Sequence, residues 1–135
     1  MAPSNIPFEY GRSGKDRDII QSEIHSLLQS GVISKSEGEG GYFSNIFTRP
    51  KSDGSARIIL NLKSINPYFE KIRFKMSTMK DVINLITPGC YLASIDIRQA
   101  YYSVPINESH KKFLRFTFNG QNYHFNVMPN GTVMR

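Results

Sequence analysis

The stretch "SIDIRQAYYSVPIN", residues 94–107, decides how this 135-residue chain is read. With the preceding "YLA" it begins as "YLASID", short and mostly apolar, the composition of a strand buried inside a sheet. The run closes on a bare carboxylate, Asp96, and the aromatic pair Tyr101 and Tyr102 follows. A charge at the end of an apolar strand costs stability unless something compensates it. Two compensations are open from the residue alone. One is a turn role in "IRQ" or a pairing with Arg98. The other is a hard divalent cation such as Mg²⁺, held by the carboxylate together with substrate phosphates.

On the C-terminal side, "FLRFTFNGQNYHFNV" places two alternating runs around Asn119-Gly120, the strongest short-range hairpin signal. Phe116 and Phe118 fall on one side, with Tyr123, Phe125 and Val127 sharing a side of the partner strand. On the N-terminal side, "STMKDVINLITPG" reads as a helix. Thr78 and Asp81 have capping-box spacing, Val82, Ile83 and Ile86 form the apolar stripe, and Thr87-Pro88-Gly89 ends it. Earlier still, Tyr42, Phe43, Ile46 and Phe47 favour a strand after the loosening glycines of "GEGG". Asp53-Gly54 supplies a turn, and "RIILNL" resumes as a second strand. The segment "NPYFEKIRFKM" is expected to be irregular. A first helix is predicted from Lys15 to Ser30 by the spacing of Ile19, Ile20, Ile24, Leu27 and Leu28, with Ser13 as cap and Gly31 as stop. Helix, hairpin, helix, strand and hairpin in that order define an α+β fold, an antiparallel sheet with helices packed on it.

Composition sets the bounds. Apolar residues at 39% and charged residues at 21% describe one globular domain, with no apolar run long enough to span a bilayer. A single cysteine, Cys90, and an N-terminus without an apolar core fit a soluble, intracellular protein, cytoplasmic or nuclear and not secreted. The net charge of +6 is concentrated between Arg49 and Lys80. Eight bases stand there (Arg49, Lys51, Arg57, Lys63, Lys71, Arg73, Lys75, Lys80) against Asp53 and Glu70, an attractor for phosphates or else a solvated basic surface. The three histidines are scattered without zinc-site spacing. "GEGG" precedes a strand rather than a helix, unlike a phosphate-cradling loop. No serine occupies a nucleophile elbow.

Three blocks in order, the basic hairpin "PKSDGSARIILNLKSIN", then "SIDIRQAYYSVPI", then "KKFLRFTFNGQNYHFNVMPNG", resemble the reverse transcriptase family. The details "SNIFTRPK", "ILNLKSIN", "RFKM" and "MPNG" look most like retrotransposon polymerases of the DIRS type. The resemblance covers roughly residues 21–131. It implies the fingers and first part of the palm of a right-hand polymerase, cut short: residues 1–14 an N-terminal tail, 15–90 a fingers-like region with the first helix and the basic hairpin, and 91–135 a partial palm carrying the first catalytic aspartate.

By that resemblance, Asp96 is the catalytic acid that binds both metals, Mg²⁺ or Mn²⁺, with the backbone carbonyl of Ile97 as second ligand. Lys51 and Arg57 grip the triphosphate of the incoming dNTP, the one a mobile point charge and the other a planar fork. Gln99, Ala100, Tyr101 and Asn130 complete the nucleotide site. Tyr101 packs beneath the sugar and excludes a 2′-hydroxyl, with Tyr102 behind it. Asn61, Lys63 and Asn66 align with a template-contacting segment; many relatives carry aspartate where Asn61 stands. Gln99 stands where some relatives keep a second acid and is not counted as a metal ligand. The implied reaction is in-line attack of a primer 3′-oxygen on the nucleotide α-phosphate, with one metal activating the hydroxyl and the other stabilising pyrophosphate. The implied partners are an RNA or DNA template-primer and dNTP. No membrane partner is expected, and self-association through an exposed palm edge is.

The family also uses an aromatic-x-Asp-Asp hairpin, and no Asp-Asp pair occurs in this sequence. The expectation is therefore a polymerase fragment inactive alone. Two other classes stay open on sequence: a basic nucleic-acid-binding module without catalysis, and a non-catalytic structural or interaction protein.

Overall fold

The computed structural model of the chain describes residues 2–38, 40–70, 75–98 and 100–130. Helix α1 runs Gly14–Gln29; the Ser13 side chain accepts the Asp16 amide at its start, and Gly31, at φ +78°, follows its end. The apolar spacing does what it predicts, for Ile20, Ile24 and Leu27 are buried on one stripe. Strand β1 (Ile33–Lys35) follows, then β2 (Ile46–Pro50) and β3 (Ala56–Leu60), a helix α2 (Met79–Leu85), and strands β4 (Arg115–Phe118) and β5 (Gln121–Phe125). Short 3-10 turns occupy Asn66–Tyr68, Ala100–Ser103 and Glu108–Phe113.

Two antiparallel sheets result. One has the order β1-β5-β4 and the other is the β2-β3 pair. The hairpin at Asn119-Gly120 forms as the sequence requires. Both turn residues have positive φ, 51° and 75°, and the register pairs Phe118 with Gln121 and Phe116 with Tyr123. Phe116, Phe118 and Phe125 are fully buried, and Phe116 stacks on Tyr123 with ring centroids 5.3 Å apart. Burial of one such ring contributes about 1.5–3 kcal/mol. The core continues through Ile20, Ile24, Ile33, Ile46, Ile58, Leu60 and Ile65, so α1 seals both sheets. β1 precedes residue 90 and β4 and β5 follow it, so one sheet joins the two ends of the chain.

The N-terminal tail is tied down. Asn5 bonds both backbone groups of Phe43, its Nδ2 donating to the carbonyl at 2.8 Å and its Oδ1 accepting from the amide at 2.6 Å.

Three expectations are corrected. Residues 91–96 form no strand. They carry no regular secondary structure and are exposed, Tyr91 at 101% and Ile95 at 91%. A segment of strand composition becomes a strand only when a neighbour takes its N–H and C=O groups, and among the described residues no strand pairs with this one. Helix α2 has its Thr78–Asp81 capping box, but it stops at Leu85 and its apolar stripe is left exposed among the described residues, at Val82, Ile83 and Ile86. The strand expected from Tyr42 begins only at Ile46, because Phe43 makes an isolated bridge to Arg115 instead. Of the basic segment expected to be irregular, residues 71–74 lie outside the described residues. β1 was not anticipated at all, since "ISK" is too short for a period to show.

Candidate nucleotide-binding cleft

A cavity of about 270 Å³ opens between α1, the β2-β3 hairpin and the turn at Ala100–Ser103. Its lining gathers residues far apart in sequence: Lys51, Arg57, Ala100, Tyr101, Tyr102 and Asn130, together with Glu23, Ser26, Leu27, Ser30 and Val32 from α1 and the residues just after it.

Each wall has a local cause. The hairpin tip is held by the Lys51 amide donating to the Ser55 carbonyl at 2.8 Å and by Asp53, whose Oδ1 accepts the Ser55 amide at 3.0 Å. The Ser55 hydroxyl and amide hold the Asp53 carboxyl below its ordinary range. Lys51 leaves β2 at the base of this tip. Arg57 sits on β3, directly across from Arg49. The tyrosines are fixed from below. Ser103 Oγ donates to the Ala100 carbonyl at 2.6 Å, and the Val104 amide to the Tyr101 carbonyl at 3.2 Å. Residues 104–106 then lie beside 126–128: the Ile106 amide donates to the Asn126 carbonyl at 2.9 Å and the Met128 amide to the Val104 carbonyl at 2.8 Å. This pairing carries "MPN" back to the tyrosines, with Met128 and Pro129 buried and Asn130 at the cavity.

Tyr101 is half exposed, while Tyr102 packs against the core. Burial raises the Tyr102 phenol above its ordinary value; the nearby Glu23 carboxylate adds to this and the Arg57 guanidinium opposes it. Glu23 Oε1 lies 3.9 Å from Lys51 Nζ.

Of the residues singled out in the sequence, the fold brings Lys51, Arg57, Ala100, Tyr101 and Asn130 into this one cavity. Gln99 lies outside the described residues. Asp96 and Ile97 are exposed and do not line the cavity, although Ala100 lies only four positions after Asp96. Asn61, Lys63 and Asn66 follow β3 and do not line it either. Asn61 Oδ1 accepts the Lys63 amide at 3.2 Å and Lys63 is exposed. Glu23, Ser26 and Ser30 were missed. A signal existed for Glu23, because an acid three residues after Ile20 and four before Leu27 stands within the apolar stripe of α1.

Among the described residues no group of three or more His, Cys, Asp or Glu side chains converges. Asp96 and the Ile97 carbonyl offer two oxygens, and octahedral Mg²⁺ needs more. These residues by themselves do not complete a metal site. Among the described residues no helix is long and apolar enough to cross a membrane.

No family model matches the chain. Its sequence is 24% identical over 123 residues, 91% of the chain, to the Pro-Pol polyprotein of feline foamy virus. It is 28% identical over 112 residues, 82% of the chain, to the Gag-Pol polyprotein of walleye dermal sarcoma virus. It spans only 10% and 6% of the length of those two relatives. Among solved structures it superposes on the foamy viral protease-reverse transcriptase in complex with double-stranded DNA with a TM-score of 0.76, at 23% identity, covering 98% of this chain and 24% of that one. The same viral protein in complex with an RNA/DNA hybrid gives a TM-score of 0.72 at 22% identity, covering 99% of this chain and 18% of that one. The fold is that of a small α+β domain found within retroviral protease-reverse transcriptases. The likeness in sequence is to a part of viral Pro-Pol and Gag-Pol polyproteins, and the likeness in fold to a part of the foamy viral protease-reverse transcriptase.

Proposed function

We propose that the chain is the fingers and front palm, residues 15–90 and 91–135, of a retroelement RNA-directed DNA polymerase of the DIRS type. Its cleft takes the triphosphate and sugar of a dNTP. The observation that carries this reading is the single cavity shared by Lys51 and Arg57 from the hairpin, Tyr101 from the turn after Asp96, and Asn130 from the far hairpin. Two cations beside a half-exposed aromatic ring suit a polyphosphate followed by a sugar. In this reading Tyr101 lies under the sugar, Asn130 meets its 3′ side, and Asp96 with the Ile97 carbonyl contributes the first ligands for Mg²⁺. Asn61, Lys63 and Asn66 meet the template strand. The viral relatives solved with double-stranded DNA and with an RNA/DNA hybrid support a nucleic-acid partner.

The residues present contain one of the carboxylates that two-metal chemistry needs, so the chain alone does not extend a primer. The apolar surface of Val82, Ile83, Tyr91, Leu92 and Ile95 favours association with a further polypeptide or a second copy. The test is calorimetric titration of dTTP into the purified chain, beside a Mg²⁺ primer-extension assay. Wild type binds dTTP and the K51A/R57A double variant weakens at least about tenfold, since each charge-assisted bond is worth about 1.5–3 kcal/mol. Unchanged affinity in that variant sinks the nucleotide reading. Salt-sensitive binding of an RNA/DNA hybrid without dTTP binding would favour the non-catalytic nucleic-acid module instead. Template-dependent extension by the pure chain would overturn its inactivity.

A further inference from the structure

The cavity wall includes one acid among its described residues, Glu23. Its side chain is 17% exposed and that of Lys51 32%. Their 3.9 Å separation exceeds hydrogen-bond reach, so the carboxylate neutralises the ammonium without fastening it. Helix α1 keeps Glu23 inward because Ile20 and Leu27, on the same stripe, are buried. With Lys51 and Arg57 the lining carries two cations and this one acid. Tyr102, in the same lining, has its phenol raised by burial first, and then by Glu23 against the opposing pull of Arg57.

We infer that Glu23 is the resident counter-ion of the cleft. It balances the charge of Lys51 at the cavity until a polyphosphate takes over that role, and its own charge restrains the affinity of the site for anions. This rests on the triphosphate reading above. A partly buried ammonium without a partner is costly, and Glu23 supplies that partner when no anion is bound. A polyphosphate carries more charge and accepts stronger hydrogen bonds than one carboxylate at this distance, so it wins Lys51. It must still bind against the negative charge of Glu23. The restraint therefore grows with the charge of the anion. Glu23 is a positioning residue acting through Lys51.

The experiment is calorimetric titration of inorganic tripolyphosphate and of orthophosphate into the full chain, using wild type, E23Q, E23D, K51A, R57A and E23Q/K51A. E23Q tightens tripolyphosphate by roughly 1.5- to fivefold, the range expected for a partly exposed charge pair. The gain for orthophosphate is smaller, and the gain shrinks when Lys51 is already alanine. E23D, which keeps the charge, binds like wild type. Ultraviolet titration of the phenols gives an independent readout: the Tyr102 phenol falls in E23Q, because a neighbouring anion has gone. Two outcomes overturn the inference. One is wild-type or weaker affinity in E23Q with an unchanged circular-dichroism spectrum; the other is a gain in E23D equal to that in E23Q. If K51A and R57A bind as tightly as wild type, the triphosphate reading itself fails and the inference falls with it. If those two weaken while E23Q does not tighten, only the role of Glu23 falls.

Discussion

Gly41 lies against the main chain of Lys112. A β-carbon on Gly41 would overlap the Lys112 carbonyl oxygen and come within 2.9 Å of its carbon, and the next residue, Tyr42, donates its amide to that same carbonyl at 2.8 Å. Gly41 also holds φ +82°, where a side chain is strained. Ser44 then donates its amide to the Arg115 carbonyl at 2.8 Å. This seam sets the entry of β2 against β4, and so the hairpin that carries Lys51.

Gly41→Ala is expected to lose about 3 kcal/mol of stability, from left-handed strain plus backbone overlap. Gly38→Ala is the control. Its φ is +99° but a β-carbon there meets nothing within 4 Å, so the cost is about 1 kcal/mol of strain alone. Denaturant midpoints of the two variants measure the difference. Equal losses would mean that the contact with Lys112 contributes nothing.

The sequence read "GEGG" only as loose backbone, because the need for Gly41 lies in a contact more than seventy residues away. The same distinction runs through the fold. α1, the Asn119-Gly120 hairpin and the Asp53-Gly54 turn are local, and their residues specify them: a cap, a stripe, two positive φ angles. β1 is specified by its partner β5, and residues 91–96 lack a partner among the described residues, so a strand composition there produced no strand. The cleft was legible in part. Lys51, Arg57, Ala100, Tyr101 and Asn130 were found through family resemblance, and only folding could show that they line one cavity with Glu23.

The exposed apolar surface separates packing from composition. Ile83 and Leu92 are 60% and 77% exposed, so Ile83→Ser and Leu92→Ser together shift stability by no more than about 0.5 kcal/mol and raise solubility. Phe116, fully buried between Tyr123 and Phe125, behaves oppositely: Phe116→Ala loses about 3–5 kcal/mol. Urea unfolding and the concentration at which each variant precipitates check both halves. A large loss from the serine pair would show that residues 79–95 are buried in solution.

His124 makes stability depend on pH. It pairs with Arg115 across β4-β5, and burial depresses its pKa below 6.5, with the Lys111 and Arg115 charges acting the same way and Glu108 and the Asn126 contact opposing. Asn126 Nδ2 donates to the Gly31 carbonyl and to Ser34 Oγ, which leaves its Oδ1 to accept from His124 Nε2 at 3.1 Å. The unfolded chain therefore binds a proton at a higher pH than the folded one. The contribution is fully present above the unfolded value near 6.5 and is lost as pH falls through the depressed folded value. His124→Gln should flatten the decline in stability from pH 7.5 toward acid. An identical slope in that variant would assign the decline to other groups.

Under the proposed function, template and nucleotide contacts separate by mutation, because Lys63 and Lys51 occupy different places in this fold. Lys63 is exposed beyond the end of β3 and does not line the cavity, whereas Lys51 is half-buried within it. Lys63→Ala is therefore expected to weaken binding of an RNA/DNA hybrid and to lower the log–log salt slope by about one, the signature of one lost phosphate contact. It should leave tripolyphosphate binding unchanged. Lys51→Ala should weaken tripolyphosphate and alter the hybrid salt slope less. Fluorescence anisotropy of a labelled hybrid across a salt series, beside calorimetry of tripolyphosphate, reads both. A fall in tripolyphosphate affinity in Lys63→Ala as large as in Lys51→Ala would merge the two surfaces into one undivided basic patch and remove the physical basis for assigning the cavity to the nucleotide.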